Sequence, residues 1–133
     1  MNLLLPRLNA RLAAPLLAAL AAIFALATPA RALELVMVEQ EGCVYCEQWN
    51  EEIGPIYPKT AEGRFAPLRR IDIYEMDASG ITFARDVNFT PTFVLVEDGR
   101  ELIRLEGYPG DDFFWPMLDR MLTATTTFSA GES

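Results

Sequence analysis

Cys43 and Cys46 are the only cysteines of the 133-residue chain, and only Val44 and Tyr45 lie between them. Thiols at this spacing can form a structural disulfide, supply half of a metal site or act as a redox couple. A disulfide between them closes a very short loop, and stabilisation by a disulfide grows with the length of the loop that it closes. The pair is therefore a poor structural staple, which favours the redox couple.

The competing chemistries need residues that the chain lacks. It contains no histidine and no second pair of cysteines, so a tetrahedral zinc site would require a dimer that shares the ion. Without a histidine there is also no general base for a hydrolase of the Cys–His type. A non-catalytic binding module with a structural disulfide remains an alternative, since exported proteins normally oxidise their cysteines. We expect no metal, and no cofactor other than the Cys43–Cys46 disulfide itself.

The first 32 residues have the pattern of a secretory signal peptide. Arg7 and Arg11 precede an uncharged apolar run from Leu12 to Ala27, and Ala30-Arg31-Ala32 has the small residues that a signal peptidase accepts. We predict cleavage after Ala32 and export to the periplasm. An uncleaved membrane anchor is the alternative, because the uncharged run is long enough to span a bilayer.

The remaining chain reads as one small acidic domain. Residues 33–124 are expected to form that domain and residues 125–133 a flexible polar tail. After Ala32 there are eight basic residues against 19 acidic ones, which gives a net charge of −11. This charge argues against nucleic acid as a partner, because little could neutralise the phosphates.

The hydrophobic pattern predicts strands that alternate with helices. Strands are expected at Leu33–Gln40, within Ala66–Glu75, and on both sides of Asp98-Gly99, a dipeptide suited to a tight hairpin turn. Helices are expected at Cys43–Ile53, as a short element within Ser79–Asn88, and from a cap at Asp111 or Asp112, with Pro116 in the first turn of that last helix.

These elements assemble into an α/β fold. The first two strands can pair in parallel through their crossover helix and the last two are antiparallel, which gives a mixed sheet of about four strands flanked by helices. Both cysteines then lie in the first turn of a helix at the carboxyl end of a strand, where open sheets place their functional sites. Unpaired N–H groups at a helix N-terminus stabilise a thiolate, so Cys43 is expected to be the accessible nucleophile and Cys46 the packed, resolving thiol.

The chain resembles the thioredoxin-fold superfamily at Cys43-Val44-Tyr45-Cys46, at Thr90-Pro91-Thr92 and at Gly107. The resemblance implies that Pro91 follows a cis peptide bond in a loop that faces the cysteines. The resemblance alone carries this expectation, because most X–Pro bonds in folded proteins are trans. It also implies that Val44, Tyr45, Thr90 and Pro91 contact the substrate, and that Gly107 allows a close approach of the backbone. Isomerases of this superfamily usually carry a dimerisation segment, for which about 100 residues after the signal leave no room, so an isomerase is disfavoured; we expect a monomer.

A narrower resemblance follows the dithiol. Trp49, Glu52-Ile53, Tyr57-Pro58 and Thr60-Ala61-Glu62-Gly63 are similar to the periplasmic thioredoxin-like protein of bacterial sulfur-oxidation systems, which are thiosulfate-oxidising. The resemblance implies thiol–disulfide exchange that reduces or reactivates a sulfur-carrier protein bearing a cysteine disulfide or persulfide, with electrons from a membrane thiol transporter. General disulfide exchange in protein folding or haem-protein maturation is the alternative.

The chain departs from many thioredoxins at the position of their buried acid, which is Met37 here. Glu39 lies on the same side of the strand and could replace it. Glu39, Glu41 and Glu47 crowd the cysteines in sequence, and nearby negative charge opposes thiolate formation. A less stabilised thiolate means a more stable disulfide, so we predict a reductant-leaning or mid-range couple rather than a strong oxidant.

Overall fold

The computed structural model describes residues 32–129. The predicted signal peptide and its alternative as an anchor therefore fall outside the described residues, apart from Ala32. Within the described part, the structure contains no helix long and apolar enough to cross a membrane. In the predicted tail, Phe128 is buried and its ring lies 5.1 Å from that of Phe65.

Four strands and three α-helices make up the described domain. The strands are β1 (Leu33–Glu39), β2 (Leu68–Asp72), β3 (Thr92–Glu97) and β4 (Arg100–Glu106). The helices are α1 (Val44–Glu52), α2 (Ala61–Phe65) and α3 (Asp111–Thr125), with 3₁₀ helices at Tyr57–Lys59 and Ile73–Ser79. The sheet order is β2-β1-β3-β4, with β1 and β2 parallel and the other two pairs antiparallel, which confirms the predicted mixed sheet.

The β3–β4 hairpin turns at the dipeptide that the sequence indicates. Asp98 and Gly99 have φ values of 51° and 75°, and Glu97 pairs with Arg100 across them. Two consecutive residues at positive φ give the turn a twist that matches that of the flanking strands.

Each face of the sheet carries its own buried cluster. Leu35, Met37, Phe93 and Leu95 pack against α1 and α3 on the face that also holds both cysteines. The opposite face is smaller and consists of Val36, Val38, Ile71, Val87, Val94 and Val96. Strand residues alternate between these faces, so one run of apolar residues in β1 serves both clusters.

The short helix predicted within Ser79–Asn88 is wrong. A 3₁₀ helix ends at Ser79 instead, and residues 80–91 run without regular secondary structure except for an isolated bridge between Thr82 and Arg100. Ile81 and Phe83 pack on the smaller cluster while the residues after each of them are exposed, which is the period of an extended chain rather than of a helix.

The start of α3 also differs from the prediction. Gly110 is the N-cap, so Asp111 and Asp112 lie inside the first turn, where acidic side chains suit the positive end of the helix. Pro116 therefore falls in the second turn rather than the first. Lacking an N–H, Pro116 leaves the carbonyl of Asp112 without its helical hydrogen bond, and Asp112 is an exposed residue.

Candidate active site

The two cysteines lie at the N-terminus of α1. The chain leaves β1 through a turn in which the Cys43 N–H donates to the Gln40 carbonyl at 3.3 Å and Gly42 has a φ of 75°. Cys43 is then the N-cap of α1, and the Cys46 N–H donates to Cys43 Sγ at 3.1 Å. The two sulfurs form a disulfide. The helix thus directs a backbone donor at the sulfur of its own capping residue.

Cys46 is buried as expected, but Cys43 is more buried than expected. Cys43 is only 7% exposed and Cys46 3%, and both belong to the buried cluster that contains Trp49. We expected Cys43 to be clearly accessible. The disulfide and the cap hydrogen bond hold Cys43 Sγ against the helix, so solvent reaches little of this residue in the oxidised state.

An apolar groove at the cysteine motif is lined by two of the four predicted contact residues. Tyr45 and Thr90 line it together with Phe89, Glu106 and Gly107. Tyr45 and Phe89 are each 59% exposed, so the groove presents two aromatic rings to solvent. Val44 is the most exposed residue of the motif, and it does not belong to the groove lining.

The loop before β3 forms one wall of this groove. The Thr90–Pro91 peptide bond is cis, and Pro91 is buried behind Thr90. The Gly107 N–H donates to the Pro91 carbonyl at 2.7 Å, and the Thr92 hydroxyl donates to the Phe89 carbonyl at 2.7 Å. These bonds join the end of β4 to the proline loop and fix the backbone on both sides of Thr90.

The comparisons with known proteins agree with this geometry. A family model described as a thioredoxin-like domain matches residues 21–122. The chain belongs to the thioredoxin-like family. The crystal structure of the periplasmic thioredoxin SoxS from Paracoccus pantotrophus, in its reduced form, is 55% identical in sequence with a TM-score of 0.65, and the match covers 67% of this chain and 94% of that chain. No match was found among curated proteins.

These matches confirm the thioredoxin-like fold and the narrower resemblance to the thioredoxin-like protein of sulfur-oxidation systems. The present chain is itself a thiol–disulfide oxidoreductase whose redox centre is the Cys43–Cys46 disulfide. Among residues 32–129, no group of three or more histidine, cysteine, aspartate or glutamate side chains is placed to hold a metal ion.

The electrostatic setting differs from the predicted crowd of carboxylates. Glu39 is partly buried and forms an ion pair with Arg70, whose Nη1 lies 2.8 Å from Glu39 Oε2. Arg70 Nη1 also lies 3.7 Å from the sulfur of Met37, the residue at the buried-acid position. Glu41 and Glu47 are exposed. The negative charge of Glu39 is thus compensated by Arg70, a cation that is distant from the cysteines in the sequence.

Trp49 is a core residue, since it is fully buried. Its ring contacts Phe93 and Phe114 at centroid distances of 5.4 and 5.8 Å. Because Trp49 lies one turn after Cys46 on α1, this packing holds the cysteine helix against the sheet.

Glu52, the last residue of α1, connects that end of the helix to Tyr108, which follows the groove residue Gly107. The Tyr108 hydroxyl donates to Glu52 Oε2 at 2.6 Å, and Gln48 Nε2 donates to Glu52 Oε1 at 3.0 Å. The bond from Tyr108, and then that from Gln48, lowers the pKa of Glu52. Burial, and next the bond to Glu52, raises the pKa of Tyr108.

The sequence-based prediction omitted the groove residue Phe89 and gave the wrong physical reason for Gly107. Phe89 was not predicted as a site residue, although an exposed aromatic directly before Thr90-Pro91 was a usable signal. Gly107 does lie at the groove, but a Cβ there would meet nothing within 4 Å, so no close approach explains it. Its φ of 84° does, because residues other than glycine rarely adopt that conformation.

Proposed function

We propose that the protein is a periplasmic disulfide reductase that reduces or reactivates a sulfur-carrier protein of a sulfur-oxidation system, with Cys43 as nucleophile and Cys46 as resolving thiol. The observation that carries the chemistry is the disulfide at the N-terminus of α1 beside the groove of Tyr45, Phe89 and Thr90. The 55% identity with a periplasmic thioredoxin SoxS supports the compartment and the system.

The helix N-terminus supports the assignment of roles. A thiolate at Cys43 would accept the hydrogen bond that Cys46 N–H already directs at its sulfur. Hydrogen bonds to the charged form and the positive end of the helix lower the pKa of a thiol in such motifs. Both cysteines belong to the buried cluster, and Cys46 is the less exposed of the two at 3% against 7%, which is in line with a thiol that reacts only with its neighbour.

The exchange reaction has two balanced steps. The Cys43 thiolate attacks one sulfur of the partner's disulfide, which forms a mixed disulfide and releases one partner sulfur as a thiolate that takes up a proton. Cys46 then loses its proton and attacks Cys43 Sγ, which forms the Cys43–Cys46 disulfide and releases the second partner sulfur. The partner gains two electrons and two protons, and the protein loses two electrons, the proton of Cys46 and the proton that left Cys43 when its thiolate formed.

The groove supports a bound peptide segment around the partner's cysteine. An extended segment can pair with the backbone at Thr90, while its side chains meet the rings of Tyr45 and Phe89. Pro91 holds the wall from behind, through the hydrogen bond between its carbonyl and Gly107. Val44, the most exposed residue of the motif, would contact the partner beyond the groove.

Each turnover leaves the protein oxidised, so the cycle needs an electron donor. In the periplasm we propose a membrane thiol transporter in this role. It would reduce the disulfide by the same exchange in reverse, with Cys43 Sγ as the sulfur that is attacked.

Trapping the mixed disulfide tests this proposal. Cys46→Ser removes the resolving thiol, so a partner disulfide should remain attached to Cys43 and be recovered from periplasmic extracts of a sulfur-oxidising bacterium. The double variant Cys43→Ser/Cys46→Ser is the matched control and should recover nothing through a reducible bond.

The identity of the trapped protein decides the substrate. A cysteine-bearing sulfur carrier is the expected product. A broad set of unrelated folding clients or haem proteins would refute the narrow substrate assignment and support general disulfide exchange. If Cys46→Ser recovers no more than the double variant, the reductase role itself is refuted.

A further inference from the structure

A buried ion pair on β4 lies away from the cysteines. Nε and Nη2 of Arg104 donate to the two carboxylate oxygens of Glu101, each at 2.7 Å. The two side chains are only 3% and 4% exposed. Burying both charges costs about as much free energy as the pair returns, so stability alone is a weak reason for this arrangement.

The ion pair binds the backbone of the loop that leads to Thr90. Glu101 Oε2 accepts from the Ala84 N–H at 2.8 Å, and Arg104 donates to the carbonyls of Arg85 at 2.7 Å and Asp86 at 3.1 Å. Residues 80–91 form almost no regular secondary structure, so their backbone groups bond to partners outside a helix or sheet ladder. The ion pair provides three of them.

The same loop continues into the groove. After the buried Val87 it reaches Phe89 and Thr90, which form one wall. Arg85 also pairs with Glu106 at 2.8 Å, and Glu106 is itself a lining residue. Arg104 Nη1 lies 3.6 Å from the same Glu106 oxygen. The wall is thus connected to the buried pair through consecutive residues and through a second ion pair.

We propose that Glu101 and Arg104 are positioning residues for the protein substrate, because they hold the loop at Ala84–Asp86 and thereby fix Phe89 and Thr90. Neither of the two lines the groove. The inference rests on the proposed function, since the shape of this wall matters only if a protein disulfide binds against it.

The charge state of the pair agrees with this role. Burial raises the pKa of Glu101, but the hydrogen bonds from Arg104 and Ala84, together with the charges of Arg104 and Arg85, outweigh it and leave that pKa lowered. The bond to Glu101 raises the pKa of Arg104. Both groups are therefore charged at neutral pH, and the loop is held by charge-assisted hydrogen bonds.

Two conservative variants separate positioning from general structure. Arg104→Lys keeps the positive charge, but an ammonium cannot form the bidentate pair and also reach two carbonyls. Glu101→Gln keeps an acceptor for Ala84 and removes the negative charge. Each reduced variant is mixed in a single turnover with insulin as a protein disulfide, or with bis(2-hydroxyethyl) disulfide, which is too small to use the groove wall.

We expect the half-saturating insulin concentration to rise about tenfold in Arg104→Lys and to rise by less in Glu101→Gln. The limiting rate with insulin and the rate with the small disulfide should stay within about twofold of the original protein. Arg69→Lys is the matched control. Like Arg104, Arg69 pairs with a carboxylate, that of Glu34 at 3.2 Å, and donates to a backbone carbonyl, that of Ser79 at 2.7 Å. Ser79 directly precedes residues 80–91, so this contact lies at the end of the loop away from Phe89 and Thr90.

Two results overturn the inference. One is an equal loss of rate with both disulfides, which would indicate a general structural defect. The other is an unchanged insulin concentration at half saturation in a variant that urea titration shows to be folded. Should Arg104→Lys not fold, Glu101→Gln gives the same comparison. Failure of the original protein to reduce either disulfide would instead refute the proposed function.

Discussion

The guanidinium of Arg70 lies over the ring of Trp49, 5.6 Å from its centroid. The same group pairs with Glu39 and donates to Asn50 Oδ1 at 2.8 Å. Arg70 therefore connects the end of β1 to the helix that carries both cysteines, and it places a positive charge over the aromatic side chain one turn beyond Cys46.

Removing this charge should change the reduction potential. In Arg70→Met, Glu39 becomes an uncompensated carboxylate on the sheet face that holds the cysteines, which disfavours a thiolate and stabilises the disulfide. We expect the potential to fall by on the order of 10 mV, since 30 mV corresponds to about 1.4 kcal/mol for a two-electron couple. Equilibration in glutathione buffers, followed by alkylation and gel electrophoresis, measures it.

The double variant Glu39→Gln/Arg70→Met is the control for this prediction. It removes both charges together and should return the potential toward the original value. An equal shift in the single and double variants would mean that Arg70 acts through packing on Trp49 and not through Glu39.

Gly63 lies in α2, where the neighbouring backbone leaves no room for a side chain. A Cβ at this position would overlap the Tyr57 carbonyl oxygen, which also accepts hydrogen bonds from Thr60. The backbone cannot move away easily, because the Tyr57 hydroxyl donates to the Ala66 carbonyl at 2.7 Å. We expect Gly63→Ala to lower the free energy of unfolding by about 3 kcal/mol or more, as measured by urea titration.

Gly80→Ala provides the comparison. It has a φ of 75° and open space where a Cβ would go, so it bears only the cost of a positive φ, roughly 1–2 kcal/mol. A loss in Gly63→Ala no larger than in Gly80→Ala would show that the segment relaxes without difficulty.

Tyr108→Phe should make the free energy of unfolding depend less on pH in the acidic range. The folded-state pKa of Glu52 is lowered below its ordinary value of 4.5, so its stabilising contribution is present above that pH and is lost as the pH falls through the folded value. Without the hydroxyl, most of this contribution disappears. We expect the difference in unfolding free energy between the two proteins to be larger at pH 7 than at about pH 3. A difference that does not change with pH would contradict the coupling.

Much of the fold could be predicted because local patterns and long-range pairing agree. The Asp98-Gly99 turn and the cysteines at a helix start follow from residues close together in sequence, and the parallel β1–β2 pair follows from the order of strand, helix and strand along the chain. The segment Ser79–Asn88 failed because its backbone partners, Glu101 and Arg104, come from a strand about 20 residues later. No local pattern contains that information.

The active site was predictable in its cysteines and not in its surroundings. The spacing of Cys43 and Cys46 determines that they share the first turn of α1. Charge near them depends instead on which strand lies beside β1, and only the β1–β2 register brings Arg70 to Met37 and Glu39. A reading that counts carboxylates along the sequence therefore overestimates the negative charge at the dithiol.

Phe89 is the groove residue whose removal should affect protein substrates most simply. Phe89 is 59% exposed and lines the groove beside Thr90, and it belongs to neither buried cluster. In Phe89→Ala we expect the half-saturating concentration of insulin to rise about fivefold, which corresponds to about 1 kcal/mol of lost apolar contact. The rate with bis(2-hydroxyethyl) disulfide and the urea midpoint should not change.

Tyr74→Ala is the matched control for Phe89→Ala. Tyr74 is an exposed aromatic residue, 86% accessible, in the 3₁₀ helix Ile73–Ser79 and outside the groove lining. Its removal deletes a similar apolar area without touching the proposed path of the substrate, so insulin reduction should stay as it is. If both variants weaken insulin reduction equally, the protein binds its substrates through general surface hydrophobicity and the groove beside the disulfide is not the docking site.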